Sequence, residues 1–292
     1  HFFADNPRPI CSLGHSFHRE DTPMFDQYVL PALLGIVEGV TEFLPISSTG
    51  HLIIVNEFTG FTGPFAKMFD VVIQLGAILA VVVLYRNRLF SFITSKDADE
   101  RRRSFSIWLK TMVGVLPAFV VGFLFWKHIK AYLFNPFVVA AALIVGGVIL
   151  IIIEKTERKV RMLDMDVMGY KTAFVIGLVQ CLAMVPGTSR SAATIIGAMM
   201  LGASRTVAAE FSFFLAIPTM AAASGYSLFR YGSVMGETEM IRLSIGFFVS
   251  FAVAYGVIAA FIRFISKHDF APFGYYRIAL GVAVLAYFLA VR

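Results

Sequence analysis

Two short polar stretches lie inside strongly apolar sequence, and between them they carry the residue types that grip a phosphorylated anion. The first runs Glu38-x-x-x-Glu42-Phe43-Leu44-Pro45-Ile46-Ser47-Ser48-Thr49-Gly50-His51. The second is Pro186-Gly187-Thr188-Ser189-Arg190-Ser191, with Thr194 in the same run. Ionisable side chains at bilayer depth are costly and mark working sites. Glu38 and Glu42 are four apart, so on a helix they share a face. Two carboxylates so placed repel unless one is protonated or a cation lies between them. A divalent cation, Mg²⁺ or Ca²⁺, fits there, because hard cations take carboxylate oxygens and bridge to phosphate. The plainer alternative is an interfacial hairpin with both acids in water. The apolar flanks Leu33, Leu34, Ile36, Phe43 and Leu44 argue against it.

Ser47, Ser48, Thr49 and Gly50 stand where a second short helix begins. One hydroxyl would serve as an N-cap. Three hydroxyls, a glycine and His51 exceed what capping needs, and a helix N-terminus with free N–H groups suits a phosphate. His51 is either an acid or base near neutral pH or a hydrogen-bonded structural histidine. In the second stretch Gly187 permits close backbone approach, and Thr188 and Ser189 can cap the following helix. Arg190 is the sharpest residue in the chain, since its planar fork matches phosphate oxygens bidentately. Its alternative is a structural ion pair with Glu38 or Glu42. Weaker candidates are Asp70 and Gln74, which begin a span and either line the cavity or, the favoured reading, serve as capping or interhelical hydrogen-bonding groups. Glu210 is expected to face the interior or the interface, and Arg277 to snorkel from a span end.

The elements that position these residues follow from composition. Of 292 residues, 58% are hydrophobic and 15% charged, well under the roughly 25% charged residues of soluble domains. Continuous apolar runs of about 20 residues favour a bundle of membrane helices over a barrel of alternating segments. Six runs are long enough to span: about 66–85, 106–126, 136–153, 206–229, 242–264 and 272–291. Two more, about 27–57 and 172–201, are broken at Pro45–Gly50 and Pro186–Ser189, and each reads as a re-entrant helix–loop–helix hairpin. The fold class is therefore all-α: six transmembrane helices plus two re-entrant hairpins. The net charge of +6 reads as topology and not as nucleic-acid binding. Its basic residues crowd the loops at 86–105, 154–171 and 263–271, which the inside-positive rule makes cytoplasmic. That assignment turns the chain into one domain of two inverted halves, about 24–154 and 172–292, a known way to build a polar membrane site. Residues 1–23 are polar and lack the apolar stretch of a signal peptide. They read as a disordered extension or cloning remnant, with Met24 a natural start. Cys11 and Cys181 make no disulfide framework.

Over residues 24–292 the sequence resembles the undecaprenyl-diphosphatase, or bacitracin-resistance, family of bacterial integral membrane phosphatases. The resemblance rests on Glu38-Gly39-Val40-Thr41-Glu42-Phe43-Leu44-Pro45 with Ser47-Ser48-Thr49-Gly50-His51, on Pro186-Gly187-Thr188-Ser189-Arg190-Ser191 with Thr194, and on Val72-Ile73-Gln74-Leu75-Gly76-Ala77-Ile78. It implies hydrolysis of undecaprenyl diphosphate to undecaprenyl phosphate and inorganic phosphate, recycling the lipid carrier of peptidoglycan and other envelope polymers. It further implies dependence on a divalent cation and a multi-pass location in the bacterial cytoplasmic membrane, with the site facing the periplasm. On this reading Glu38 and Glu42 hold the cation. Ser47, Thr49, Gly187, Thr188, Ser189, Arg190 and Thr194 bind the diphosphate, and the polyprenyl tail stays in the membrane lipid or an apolar groove. Two routes of attack stay open: Ser48 as nucleophile, or a water activated by Glu42 or His51. The competing class is a transporter that flips polyprenyl phosphate, since paired broken helices are also transporter architecture. The sequence leaves oligomeric state open, a homodimer included. It contains no nucleotide-hydrolase phosphate loop, zinc spacing or Gly-x-Ser-x-Gly elbow.

Overall fold

The computed structural model describes residues 24–133, 135–232 and 235–290; the expected disordered extension at 1–23 lies outside them. Eleven α-helices are seen among the described residues: α1 (Leu30–Thr41), α2 (Ser48–Thr59), α3 (Pro64–Leu84), α4 (Arg86–Thr94), α5 (Ala98–Leu133), α6 (Pro136–Lys155), α7 (Tyr170–Gln180), α8 (Arg190–Met200), α9 (Arg205–Tyr231), α10 (Glu237–Ile265) and α11 (Ala271–Ala290). Six of them, α3, α5, α6, α9, α10 and α11, are long and apolar enough to cross a membrane. They coincide with the six runs read from sequence, because an uninterrupted apolar stretch has no other stable way to satisfy its backbone in lipid. The protein is a multi-pass membrane protein. The 86–105 region, read as a loop, contains the helix α4 and the start of α5.

The two broken runs form helical pairs, α1 with α2 and α7 with α8, and neither pair has a helix of more than 12 residues. Packing recurs between the halves with partners exchanged. α1 lies against α10, and α7 against α5; α3 meets α9, and α6 meets α11. Glycines permit the close crossings. A Cβ on Gly35 would stand 2.6 Å from the Gly246 carbonyl of α10, and one on Gly177 would clash with the Gly114 carbonyl of α5. Small residues let helix backbones approach where dispersion and interhelical contact, not water exclusion, hold them together. The largest apolar core centres on α8 and α9, with Ile195, Met199, Phe211, Phe213 and Leu215 fully buried.

The basic stretches gather at one end. Arg88 of α4 reaches Asp164 at 3.4 Å and Glu210 of α9 at 2.5 Å. Arg103 reaches Asp166 at 3.2 Å, and Arg205 pairs with the buried Glu154 at 2.6 Å.

Candidate active site where the two broken helices meet

Each interrupted pair turns through a left-handed serine. Ser47 (φ 74°) and Ser189 (φ 67°) are the non-glycine residues with positive φ among the described residues. Such a backbone costs about 1–3 kcal/mol per residue and persists where surrounding structure imposes it. Both serines are N-caps. The Ser47 hydroxyl accepts from the Gly50 N–H, and the Ser189 hydroxyl from the Ala192 N–H, each at 3.3 Å. The strain therefore sits at the point where each hairpin aims a helix N-terminus. Aligning the two serines pairs Gly35 with Gly177 and Glu38 with Gln180 at one constant offset. It also sets Pro45 opposite Gly187, so the loop prolines Pro45 and Pro186 fall one residue out of register.

The hairpins converge on a cavity of about 470 Å³. Its polar floor is Glu42, Ser47, Ser48, Thr49, Ser189 and Arg190; Gln74 of α3 and Gln180 of α7 complete it. Its apolar wall comes from α5 and α9, at Phe119 and Met220 among others. Both wall stretches follow a proline inside the helix, Pro117 and Pro218. An internal proline frees a backbone carbonyl and bends a helix.

The Arg190 guanidinium lies 3.6 Å from Glu42 Oε1 and donates from Nη1 to the Ser212 carbonyl at 2.7 Å. Its Nε has no hydrogen-bond partner among the described residues. Ser48 donates its hydroxyl hydrogen bond to Glu42 Oε2. One carboxylate thus touches the arginine with one oxygen and the serine with the other. Glu38 is fully buried beside Glu42, and neither of its oxygens accepts a hydrogen bond among the described residues. No cluster of three or more His, Cys, Asp or Glu suited to a metal occurs among the described residues. A cation here would have two protein carboxylates and would take further oxygens from a bound phosphate, as Mg²⁺ commonly does. The orphaned oxygens of Glu38 beside Glu42 fit that arrangement.

Other sequence candidates are placed differently. His51 has one ring nitrogen 2.7 Å from the Ser47 carbonyl and the other 2.7 Å from the Tyr276 hydroxyl, so the ring braces the first hairpin against α11. Thr194 is fully buried, and its hydroxyl donates to a carbonyl of its own helix and shares a 2.7 Å hydrogen bond with the Ser212 hydroxyl; it fixes α8 on α9. Thr188 offers its carbonyl to Arg277 at 2.9 Å. Gly187 lines the cavity at φ 91°, and a Cβ there would stand 2.5 Å from the Val139 carbonyl. Asp70 accepts from Asn56 at 2.8 Å, an interhelical bond as read from sequence.

Arg277 corrects an expectation. A snorkelling arginine keeps its head in water, but this one is completely buried. Its guanidinium donates to the Pro45 carbonyl of the first loop at 3.2 Å and to the Gly187 and Thr188 carbonyls of the second at 3.1 and 2.9 Å. It also reaches the Ala142 and Leu143 carbonyls of α6. Ser191 adds a direct tie, donating to the Leu44 carbonyl at 2.8 Å. The signal in the sequence was an arginine six residues inside the apolar run of α11.

A chamber that brings a buried guanidinium, the Glu42 carboxylate and a serine hydroxyl together between helix N-termini, inside helices apolar enough to cross a membrane, defines an integral membrane protein with a polar interior site; Glu38 lies behind Glu42 and does not line the chamber. The chain belongs to the bacitracin-resistance family: residues 31–283 match the family described as "Bacitracin resistance protein BacA". It is 50% identical over 258 residues to "Undecaprenyl-diphosphatase 1" of Clostridioides difficile, covering 88% of this chain and 94% of that one. It is 49% identical over 263 residues to "Undecaprenyl-diphosphatase" of Acetivibrio thermocellus, covering 89% and 97%. For "Undecaprenyl-diphosphatase" of Polaromonas naphthalenivorans the identity is 47% over 259 residues, covering 87% and 93%.

Proposed function

We propose that the chain hydrolyses undecaprenyl diphosphate to undecaprenyl phosphate and inorganic phosphate in the chamber between the two hairpins. The observation that carries the mechanism is Glu42 held between Ser48 and Arg190. The Ser48 oxygen attacks the terminal phosphorus while Glu42 takes its proton, and undecaprenyl phosphate leaves. Water then cleaves the phosphoserine and releases inorganic phosphate. Arg190 and the N-termini of α2 and α8 stabilise charge on the transferring phosphoryl group, as preorganised donors do in a site of low dielectric. His51 is a weaker base, because both ring nitrogens are already engaged. A divalent cation, Mg²⁺ or Ca²⁺, would be held by Glu38 and Glu42 and would neutralise phosphate charge.

The site's membrane setting belongs to the same reading. The basic end is cytoplasmic, the hairpins are re-entrant, and the halves are inverted repeats. The chamber meets α5 at Ala118–Gly122, in the half of that helix remote from the basic loops, which supports opening toward the periplasm of the cytoplasmic membrane.

Phosphate release from purified protein given undecaprenyl diphosphate tests the activity, and chelation should abolish it. A phosphoserine trapped on rapid quenching, with Ser48→Ala slowed at least about 10³-fold, would support the serine route. Active Ser48→Ala, with solvent oxygen passing directly to phosphate, would eliminate it.

A further inference from the structure

Gln180 ends α7, and only 3% of it is exposed. Neither its amide nitrogen nor its amide oxygen has a hydrogen-bond partner among the described residues. It lines the same chamber as Glu42, Ser48 and Arg190. Burying an amide without partners opposes folding, so a cavity that presents one is arranged for a group that arrives. What that group is follows from the alignment of the hairpins. Gln180 stands nine residues before Ser189, as Glu38 stands nine before Ser47. Each lies three residues beyond the glycine, Gly35 or Gly177, that seats its helix on a neighbour. The two positions hold side chains of nearly equal shape and different charge. The carboxylate can only accept hydrogen bonds; the amide donates two and carries no charge.

We infer that Gln180 is a substrate-binding residue whose Nε2 donates to a non-bridging oxygen of the diphosphate. This rests on the chamber being the diphosphate site. A glutamate at this position would set a second carboxylate against an anion that already meets Glu42 in the chamber. The amide instead joins Arg190 as a donor, and the C-terminal hairpin becomes the donating jaw of the pair.

The full-length protein in detergent supplies the test, with undecaprenyl diphosphate as substrate and inorganic pyrophosphate as competitor. Gln180→Met keeps the volume and removes the unpartnered amide. Thermal unfolding without ligand should then be unchanged or raised, while kcat/KM falls and the pyrophosphate inhibition constant rises, each by about 10- to 100-fold. That is the size expected for one hydrogen bond to a charged group. Gln180→Glu should lose more than Gln180→Met in both readouts. Wild-type kcat/KM in Gln180→Met overturns the inference, as does a Gln180→Glu that binds pyrophosphate as well as wild type. A loss of thermal stability that tracks the loss of activity, with the inhibition constant unmoved, also overturns it and assigns a structural role. If wild type itself releases no phosphate, the diphosphatase reading fails first, and the pyrophosphate arm still reads whether the amide meets an anion.

Discussion

The α1–α2 and α7–α8 pairs share a backbone and divide the chemistry. Both have a short helix seated on a neighbour through glycine, a serine forced to positive φ, and a second helix whose N-terminus faces the chamber. At corresponding positions one carries Glu38, Ser48 and His51, and the other Gln180, Arg190 and Ala193. On the proposed reading the first is a jaw of acceptors with the Ser48 nucleophile, and the second is a jaw of donors. The shared part is the costly part, a strained turn inside the helical bundle, and the differing part is side-chain charge. The same strained loop geometry thus carries two different sets of side chains, as the proposed site would need if one end of its ligand is attacked and the other steadied.

The division is broken most severely at Arg190. Arg190→Ala should lower turnover at least about 10²-fold, the usual cost of one preorganised donor. Arg190→Lys should recover only part, since a point charge does not replace a planar fork. Near-normal turnover in well-folded Arg190→Ala would mean that the second jaw is not where charge develops. Next comes Arg277, which belongs to neither jaw and holds both. Arg277→Met leaves carbonyls of both loops and of α6 without their donor and should cost about 2–4 kcal/mol of stability, read by thermal unfolding in detergent. A change within about 0.5 kcal/mol, as for a surface side chain, would show that the loops hold each other without it. The smallest effect is expected at the turns. Ser47→Gly and Ser189→Gly each relieve positive φ and forfeit a cap that glycine replaces at a cost of a few tenths of a kcal/mol. Both should shift stability by less than about 1 kcal/mol, in the same direction. Opposite signs in the two melting curves would dissolve the equivalence of the hairpins.

The long helices were legible because apolar length leaves lipid-exposed backbone only one way to bond. α4 escaped notice: it is nine residues long and its Arg86 and Arg88 sit in a run rich in charge, so it reads as an inside-positive loop. In the site, Glu38, Glu42, Ser48 and Arg190 declared themselves by type, since charge and hydroxyl clusters are rare in such sequence. Gln180 did not, because an uncharged amide in an apolar helix has many ordinary uses. Arg277 was visible as a residue but not as a role. Its partners are main-chain carbonyls of Pro45, Gly187 and Thr188, and no sequence pattern says where a carbonyl points. The register of the two loops has a similar origin: the prolines are conspicuous in sequence, but the strained serines, one residue out of step with them, set the correspondence.

A guanidinium rooted in α11 and hooked onto both loops makes them one mechanical part. Parting the two loops would strip the fork of its acceptors. Phe119 and Met220, on the α5 and α9 wall of the chamber, would then give the tail of the proposed substrate a greasy threshold from the bilayer side.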